Sequence, residues 1–248
     1  MSSVARDIAR LVERYALADD AGARLDALLV ALWADEHAPT TVRAPREAVT
    51  THLADALVAL ELADVRSAGL IADLGAGAGF PGLPLAVALP AAMVVLVESN
   101  ARKCAFIEAA ATAADAANAR VVADRAESWE AGVGVCDIVT ARALAPLAVI
   151  AEYAAPLLRD GGLLVAWKGR RDADEERAAG AAAVVLGLAL EDIRSVVPYA
   201  GAEHRHLHLL RKVAPTPPRF PRRPGMARKR PLGADIGTPS DRVRRYGD

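Results

Sequence analysis

The sequence predicts an α/β fold in which a mostly parallel sheet carries helices on both faces. Short β-rich apolar runs alternate with helical stretches over most of the 248-residue chain, which is typical of such sheets. A glycine-rich turn joins the first apolar run to the next helix. Three amphipathic helical patterns precede the alternation. We therefore expect a sheet domain with an N-terminal helical addition.

Apolar residues recur at helical spacing in three N-terminal segments, covering 4–15, 25–32 and 49–60. In the third segment, His52 and Asp55 are three residues apart and share one helical edge. Their pairing fits an oriented histidine near a site, and it also fits a surface or capping pair without chemistry. We assign residues 1–65 to an N-terminal helical cap.

The strands are predicted from apolar, β-rich runs, and helices are predicted between them. The strand predictions are 70–74, 93–97, 121–122, 138–140, 162–168, 193–197 and 205–213. The intervening helices are predicted over 100–116, from Pro146 onward and over 172–186. These elements define a sheet domain over residues 66–214. In such sheets, ligands bind beyond the carboxyl ends of the strands.

The stretch around the first turn has the pattern of a cofactor loop. Asp73 lies near the end of the first strand, and Gly75, Gly77 and Gly79 follow at alternate positions. Glycines let the backbone approach a ligand closely, and a nearby carboxylate suits the amino and sulfonium groups of S-adenosylmethionine. However, Gly77, Gly79 and Gly82 also satisfy G-x-G-x-x-G. The spacing alone leaves a dinucleotide, or a tight turn without a ligand, open.

Charged side chains follow several predicted strands. Glu98 ends the second strand roughly 20 residues after the glycines, where a carboxylate accepts the ribose hydroxyls of an adenosine. This fits S-adenosylmethionine and NAD equally. The 124–127 loop follows the third strand and is placed to border an adenine. Arg142 closes the fourth strand and Lys168 the fifth. Since parallel strands end at one edge of the sheet, we expect these groups to meet there.

The charge of the chain is unevenly distributed. The net charge is −1, yet residues 204–248 hold 12 Lys and Arg against 3 Asp and Glu. A basic end on an acidic body indicates a polyanionic partner, although a solvated charged tail has the same composition. We assign 215–248 to a Pro- and Arg-rich tail. Phosphate contacts are predicted for Arg219, Arg222, Arg223, Arg228, Lys229 and Arg230, together with Lys168.

Other features argue against several protein classes. No run of about 18 strongly apolar residues predicts a transmembrane helix, and the first residues do not resemble a signal peptide. Cys104 and Cys136 have no disulfide-framework or metal-site spacing. His204, His206 and His208 alternate along the last strand without further suitable ligands, so we expect no metal site. A cytoplasmic protein without a membrane anchor fits best.

Several motifs together resemble a known family. They are His52-Leu53-Ala54-Asp55, residues 73–84, Lys103, Arg125-Ala126-Glu127, Thr140-Ala141-Arg142-Ala143, Lys168-Gly169 and Pro221-Arg222-Arg223-Pro224-Gly225. This set resembles the small-subunit (16S) ribosomal RNA guanine-N7 methyltransferases, also called the glucose-inhibited division protein B family. The resemblance covers roughly residues 8–232. Its most specific parts are Gly79-Phe80-Pro81-Gly82 and the Pro-Arg-Arg-Pro-Gly segment.

The resemblance implies a class I S-adenosylmethionine-dependent methyltransferase, with a Rossmann-like, mostly parallel seven-stranded sheet. It implies methyl transfer from that cofactor to N7 of a guanine in the decoding-region loop of the small-subunit RNA. The cofactor contacts it implies are Gly75, Phe80, Glu98, Ser99, Asn100, Ala126, Glu127 and Arg142. To these the glycine stretch adds Asp73 and Gly77. Arg142, placed between cofactor and RNA, is the candidate catalytic residue.

The expected chemistry needs little from the protein besides alignment. N7 of neutral guanine carries a lone pair, so no general base is required and orientation can dominate. The expected partner is ribosomal RNA or a ribosomal particle, and the protein is expected to be a monomer. Two alternatives remain at this stage: a nicotinamide-dependent oxidoreductase, and a non-catalytic RNA-binding module with a vestigial cofactor pocket.

Overall fold

A seven-stranded sheet forms the centre of the protein in a computed structural model that describes residues 2–42 and 44–233. The strands are β1 (Leu70–Leu74), β2 (Met93–Val97), β3 (Ala119–Val122), β4 (Cys136–Arg142), β5 (Leu158–Lys168), β6 (Leu188–Val196) and β7 (Arg205–Lys212). Their order is β3-β2-β1-β4-β5-β7-β6. The first five strands pair in parallel, and β7 is antiparallel to both β5 and β6. The predicted mostly parallel sheet is confirmed.

Both faces of the sheet are buried, which explains the nearly continuous apolar runs in its strands. Successive residues of a strand point to opposite faces. Ile71 accordingly packs in one core with Leu25 and Leu29 of the N-terminal helices. Its neighbour Ala72 packs in the other core with Ile150 and Leu186. The N-terminal helices therefore cover one face of the sheet, whereas two helices from the second half of the chain cover the other.

The helices alternate with the strands after an N-terminal helical region. Their bounds are α1 (Ser3–Tyr15), α2 (Ala21–Ala34), α3 (Pro45–Ala48), α4 (Asp55–Leu57), α5 (Ala63–Arg66), α6 (Gly82–Ala88), α7 (Ala101–Ala113), α8 (Leu147–Ala154), α9 (Ala173–Leu186) and α10 (Met226–Lys229). N-cap side chains cap three of them: Ser2 accepts from the N–H of Ala5 in α1, Asn100 accepts from two backbone N–H groups of α7, and Asp172 does the same for α9. The helix predicted over 100–116 ends earlier, at Ala113, whereas the one predicted over 172–186 differs only in that Asp172 is its cap.

The third N-terminal segment differs from the single regular helix that its periodicity predicts. Between α3 and α4, Val49–Ala54 forms a π-helical stretch, and α4 continues into a 3₁₀ turn over Val58–Glu61. His52 lies in the π-helical stretch and Asp55 begins α4. Both side chains are buried, so they are not a surface pair. A π-turn widens a helix locally and often occurs at functional sites.

The chain after β7 packs against the sheet domain as far as residue 233. Phe220 and Ala227 are buried in the same core as α8, and the short helix α10 follows a Pro-rich irregular stretch. The rest of the predicted tail, 234–248, lies outside the described residues. The division at 65/66 falls within α5, and the three-part division of the chain stays a prediction. Within the described ranges, no helix is long and apolar enough to cross a membrane.

Candidate functional site

The turn after β1 requires its glycines. Gly75, Gly77 and Gly79 all have positive φ angles, of 64°, 60° and 87°. A Cβ on Gly75 would lie 2.5 Å from Cδ1 of Leu144, and one on Gly79 would lie 2.5 Å from a side-chain carbon of Leu83. The backbone N–H of Gly75 donates to the carbonyl of Val97 at the end of β2. The turn is therefore fixed against the carboxyl end of the neighbouring strand.

Asp73 holds this turn in place through two hydrogen bonds of its buried carboxylate. Its Oδ2 accepts from the N–H of Gly82, at the start of α6, and its Oδ1 accepts from the hydroxyl of Thr140 on β4, each at 2.9 Å. The side chain is completely buried, and this burial raises the pKa of Asp73 to about 6. Asp73 does not line a cavity. The geometry makes it a positioning residue, and a direct cofactor contact stays a prediction.

The first cavity, of about 520 Å³, lies beyond the carboxyl ends of β1 to β4. Five of the predicted cofactor residues line it: Gly75, Glu98, Ser99, Ala126 and Glu127. Leu144, Tyr153 and Arg228 also line it, although none of them is among the predicted cofactor contacts. The strand-end pattern located the floor of this cavity, whereas its outer wall comes from residues distant in sequence.

Glu98 is held in the floor of the first cavity by backbone donors. Its Oε2 accepts from the N–H of Gly77 at 3.1 Å, and its Oε1 accepts from the N–H of Asn100 at 2.9 Å. An ionised carboxylate has further lone pairs that can accept ribose hydroxyls. Gly77 and Asn100, both predicted as cofactor contacts, do not line the cavity but fix the carboxylate that does.

A second cavity of similar size adjoins the first. It lies between the N-terminal helices and the ends of β4, β5 and β7. Its lining includes Thr51, His52, Asp55, Arg142, Trp167, Lys168 and Arg205. Ala143, directly after β4, lines both cavities and has a φ of 54°. The two cavities therefore meet at the end of the central strand.

Arg142 belongs to the second cavity. Its Nη1 donates to Oδ2 of Asp55 and to the carbonyl of Thr51, each at 2.9 Å. The guanidinium also lies 5.8 Å from the centre of the Phe80 ring. Asp55 is fixed in turn, because the indole N–H of Trp167 donates to its carbonyl at 2.7 Å. Asp55 is a functional candidate that the sequence indicated through its spacing from His52 and through the His52–Asp55 motif, without a role assigned to it.

His52 and Phe80 form a stacked pair between the glycine turn and the second cavity. Their ring centres lie 4.6 Å apart, and Nε2 of His52 is 2.9 Å from the hydroxyl of Thr40. Burial, with Arg142 nearby, lowers the pKa of His52 to about 4, so the imidazole is neutral at neutral pH. Phe80 does not line the first cavity, and its predicted cofactor contact remains a prediction.

The residues predicted to bind RNA fall into two groups. Three have protein partners: Lys168 pairs with Glu175, Arg222 with Glu152, and Arg228 donates to the carbonyl of Leu144. Arg228 is exposed despite this contact. The others are also exposed on the C-terminal segment, with the guanidinium of Arg219 over the Phe220 ring; they are Arg219, Arg223, Lys229 and Arg230. The phosphate contacts of both groups stay predictions.

The histidines near β7 have protein partners. Nδ1 of His206 is 2.9 Å from the carbonyl of Gly169, and Nε2 of His208 is 3.3 Å from Oε1 of Glu176. Across residues 2–42 and 44–233, no group of three or more His, Cys, Asp or Glu side chains is arranged to hold a metal ion.

This sheet order, with an antiparallel β7 and a cavity beyond β1 and β2, is that of a class I S-adenosylmethionine-dependent methyltransferase. The mitomycin 7-O-methyltransferase MmcR has the same fold, with a TM-score of 0.54 at 15% identity over 65% of this chain and 54% of that one. A protein of Agrobacterium tumefaciens described as a predicted O-methyltransferase gives 0.50 at 26% identity, over 65% and 80%. The predicted fold class is confirmed.

Residues 25–207 match the family model described as rRNA small subunit methyltransferase G. The Ribosomal RNA small subunit methyltransferase G of Chloroflexus aggregans is 40% identical over 84% of this chain and 87% of that protein. The protein of the same name from Bacillus subtilis is 34% identical over 81% and 85%. The chain belongs to the rRNA small subunit methyltransferase G (GidB) family.

Family membership confirms the resemblance and the activity it implied. The protein is an S-adenosylmethionine-dependent enzyme that methylates N7 of a guanine in 16S ribosomal RNA. The family assignment argues against both alternatives, the nicotinamide-dependent oxidoreductase and the non-catalytic RNA-binding module.

Proposed function

We propose that the first cavity holds S-adenosylmethionine and that the second receives the target guanine. The observation that carries this proposal is the meeting of the two cavities at Ala143, next to Arg142. A methyl donor in one cavity and an acceptor base in the other would face each other across this point. Such alignment is the main requirement of the reaction.

The first cavity has the groups that an adenosyl cofactor requires. Glu98 supplies a carboxylate that two backbone N–H groups hold in place and that can accept the ribose hydroxyls. In other nucleotide-binding sheets, an acidic residue at the end of the corresponding strand binds the ribose. The Gly75 turn brings bare backbone to the cavity at a place where a side chain would clash with Leu144. Ala126 and Glu127 border the side farther from the glycine turn, which we assign to the adenine. These residues fit S-adenosylmethionine.

The second cavity has features of a site for a polar aromatic ligand. Nδ1 of His52 and Oδ1 of Asp55 are buried without a hydrogen-bond partner among the described residues. Oδ1 of Asp55 forms an ion pair with Nε of Arg205 at 3.5 Å. Both residues line the second cavity, so a ligand bound there would lie against their side chains. Trp167 lines the same cavity and offers an apolar surface to a base.

The chain's residues orient the base rather than exchange protons with it. When bound, the cofactor supplies a methyl group on a positively charged sulfur. Guanine presents O6 and N7 as adjacent acceptors on one edge. We assign to Arg142 a hydrogen bond to O6, which leaves the N7 lone pair directed toward Ala143. Asp55 and Thr51 hold the guanidinium in place for this contact. The neutral His52 is not required as a base, because N7 carries no proton.

RNA outside the target base would be held by cations at the rim of the second cavity. Lys168 and Arg205 line this cavity, and Arg170 is exposed next to them. The exposed cations of the C-terminal segment extend the basic surface. Phosphate contacts of this kind make binding sensitive to salt. We propose that the protein acts as a monomer in the cytoplasm, because one chain lines both cavities and its substrate is ribosomal RNA.

The cofactor assignment is tested with Glu98→Gln, compared with Glu108→Gln on the exposed face of α7. Glutamine has one acceptor oxygen in place of a charged pair, so we expect the Kd for S-adenosylmethionine to rise about 10-fold, equivalent to about 1.4 kcal/mol. Isothermal titration measures it. An unchanged Kd for Glu98→Gln, or equal losses in both variants, would remove the ribose assignment.

A further inference from the structure

The C-terminal segment contributes a side chain to the first cavity. Arg228 lines the cavity, and its Nη2 donates to the carbonyl of Leu144 at 2.9 Å. Tyr153, also in the lining, has its hydroxyl beside the same guanidinium and close to Glu127. A residue expected to contact RNA phosphate therefore lies at the mouth of the cavity assigned to the cofactor.

Two anchors fix the segment that carries Arg228. Arg222 donates from Nε and Nη2 to the two carboxylate oxygens of Glu152, at 2.7 and 2.5 Å, and Glu152 is only 1% exposed. The N–H of Gly225 donates to Oε1 of Glu127 at 3.0 Å. Glu127 itself lines the first cavity. The backbone between these anchors and Arg228 is thus attached directly to a cofactor-site residue.

The position of Arg228 in the first cavity indicates which part of the cofactor it would contact. Gly75 and Glu98 form the opposite part of the cavity and are assigned to the methionine and ribose portions. Arg228 lies beside Tyr153, on a segment that is hydrogen-bonded to Glu127, the residue assigned to the adenine. Adenine offers ring nitrogens that accept hydrogen bonds and a flat face. A guanidinium matches both, since it donates from a planar fork and stacks on aromatic faces.

We propose that Arg228 is a cofactor-binding residue that closes the adenine end of the first cavity, held there by the Arg222–Glu152 and Gly225–Glu127 contacts. This inference rests on the proposed function, because it requires S-adenosylmethionine in that cavity. It also replaces the phosphate contact predicted for Arg228. The exposed neighbour Lys229, which does not line the cavity, keeps its predicted place on the RNA side.

Titration calorimetry separates the two roles of Arg228. We expect Arg228→Ala to raise the Kd for S-adenosylmethionine about 5- to 10-fold, which is the net contribution of about one hydrogen bond. The Kd for 5′-methylthioadenosine, which lacks the amino-acid portion, should rise by the same factor. Lys229→Ala should change neither value by more than about twofold. Arg228→Lys should also raise both Kd values, because lysine lacks the planar guanidinium group.

A phosphate contact gives the opposite pattern. It would leave both Kd values unchanged in Arg228→Ala, tolerate lysine, and lower the salt dependence of binding to a 16S RNA fragment by about 0.7 to 0.9 in log–log slope. That result would overturn the inference. If Glu98→Gln raises the Kd for S-adenosylmethionine and Arg228→Ala does not, the inference fails and the proposed function stands. If neither variant raises this Kd, the proposed function fails. Thermal unfolding of each ligand-free variant confirms that it is folded.

Discussion

At the scale of single residues, Asp73 shows how a buried carboxylate serves this site without touching a ligand. Its carboxylate joins the end of β1 to the start of α6 and to β4 by hydrogen bonds, and so fixes the position of the glycine turn between them. A charge this deep is costly, because two neutral donors replace bulk water around it. The raised pKa of Asp73, at about 6, is the expression of that cost.

The pKa of Asp73 predicts a specific pH dependence of stability. The pKa of Asp73 is 3.8 when the carboxyl is fully solvated, as in the unfolded chain, and about 6 in the folded protein. Between these values the folded state binds more protons than the unfolded state. The stabilising contribution is therefore complete below about pH 3.8 and is lost as the pH rises through about 6. Asp73→Asn removes this titration and keeps a side-chain acceptor.

We expect the unfolding free energy of the wild type, minus that of Asp73→Asn, to fall by roughly 2–3 kcal/mol between pH 4 and pH 7. Urea unfolding of both proteins at the two pH values measures this difference. The subtraction cancels the contributions of the other carboxyl groups. A difference that stays constant with pH, or that grows, would show that Asp73 titrates normally.

At the scale of elements, the C-terminal segment shows that neighbouring basic residues can have different partners, which composition alone does not reveal. Arg222 and Arg223 are adjacent, yet one pairs with the buried Glu152 and the other is exposed. Removing one partner of a buried ion pair leaves an uncompensated charge. We expect Arg222→Ala to lower the free energy of unfolding by about 3–5 kcal/mol, and Arg223→Ala to change it by less than about 0.5 kcal/mol.

Denaturant unfolding of the two variants checks this contrast. Arg222→Met combined with Glu152→Gln should recover part of the loss, because the buried charge is then gone. Equal effects of Arg222→Ala and Arg223→Ala would mean that Arg222 is solvated like its neighbour. The segment would then be a charged tail, as its composition alone permitted.

The helical region before β1 shows a second limit of sequence patterns at this scale. Apolar spacing located α1, α2 and the third helical segment, because a buried face is the same for all helix types. It did not show the π-helical stretch Val49–Ala54, since one extra residue in a turn hardly alters the spacing. That stretch carries His52 and directly precedes Asp55, so it sets where both side chains enter the second cavity.

At the scale of the whole molecule, the central strands and the floor of the first cavity were predictable. The central strands β1, β2 and β4 are short apolar runs, whereas β6 carries several charged residues and begins at Leu188 rather than at the predicted 193. The carboxyl ends of parallel strands meet at one edge, which placed Glu98, Ala126 and Glu127 together. The second cavity was not predictable from spacing. Its central pair, Arg142 and Asp55, is separated by 87 residues and joins β4 to α4. Only the folded arrangement shows such a pairing.

We infer that Arg142 orients a guanine at the junction of the two cavities and does not hold the cofactor. The most direct test of this inference is single-turnover transfer of tritiated methyl from saturating S-adenosylmethionine to small ribosomal subunits lacking the modification, followed by nucleoside analysis. The wild type should label N7 of guanine. Arg142→Ala should lower the rate constant about 100-fold, equal to about 2.7 kcal/mol.

The cofactor Kd of Arg142→Ala should stay within about threefold of the wild type, because Arg142 does not line the first cavity. Arg120→Ala, an exposed arginine on β3, is the matched control and should react at the wild-type rate. Transfer by Arg142→Ala at the wild-type rate would contradict the role of Arg142 in orienting the guanine. Label at a position other than N7 of guanine in the wild type would contradict the assigned reaction.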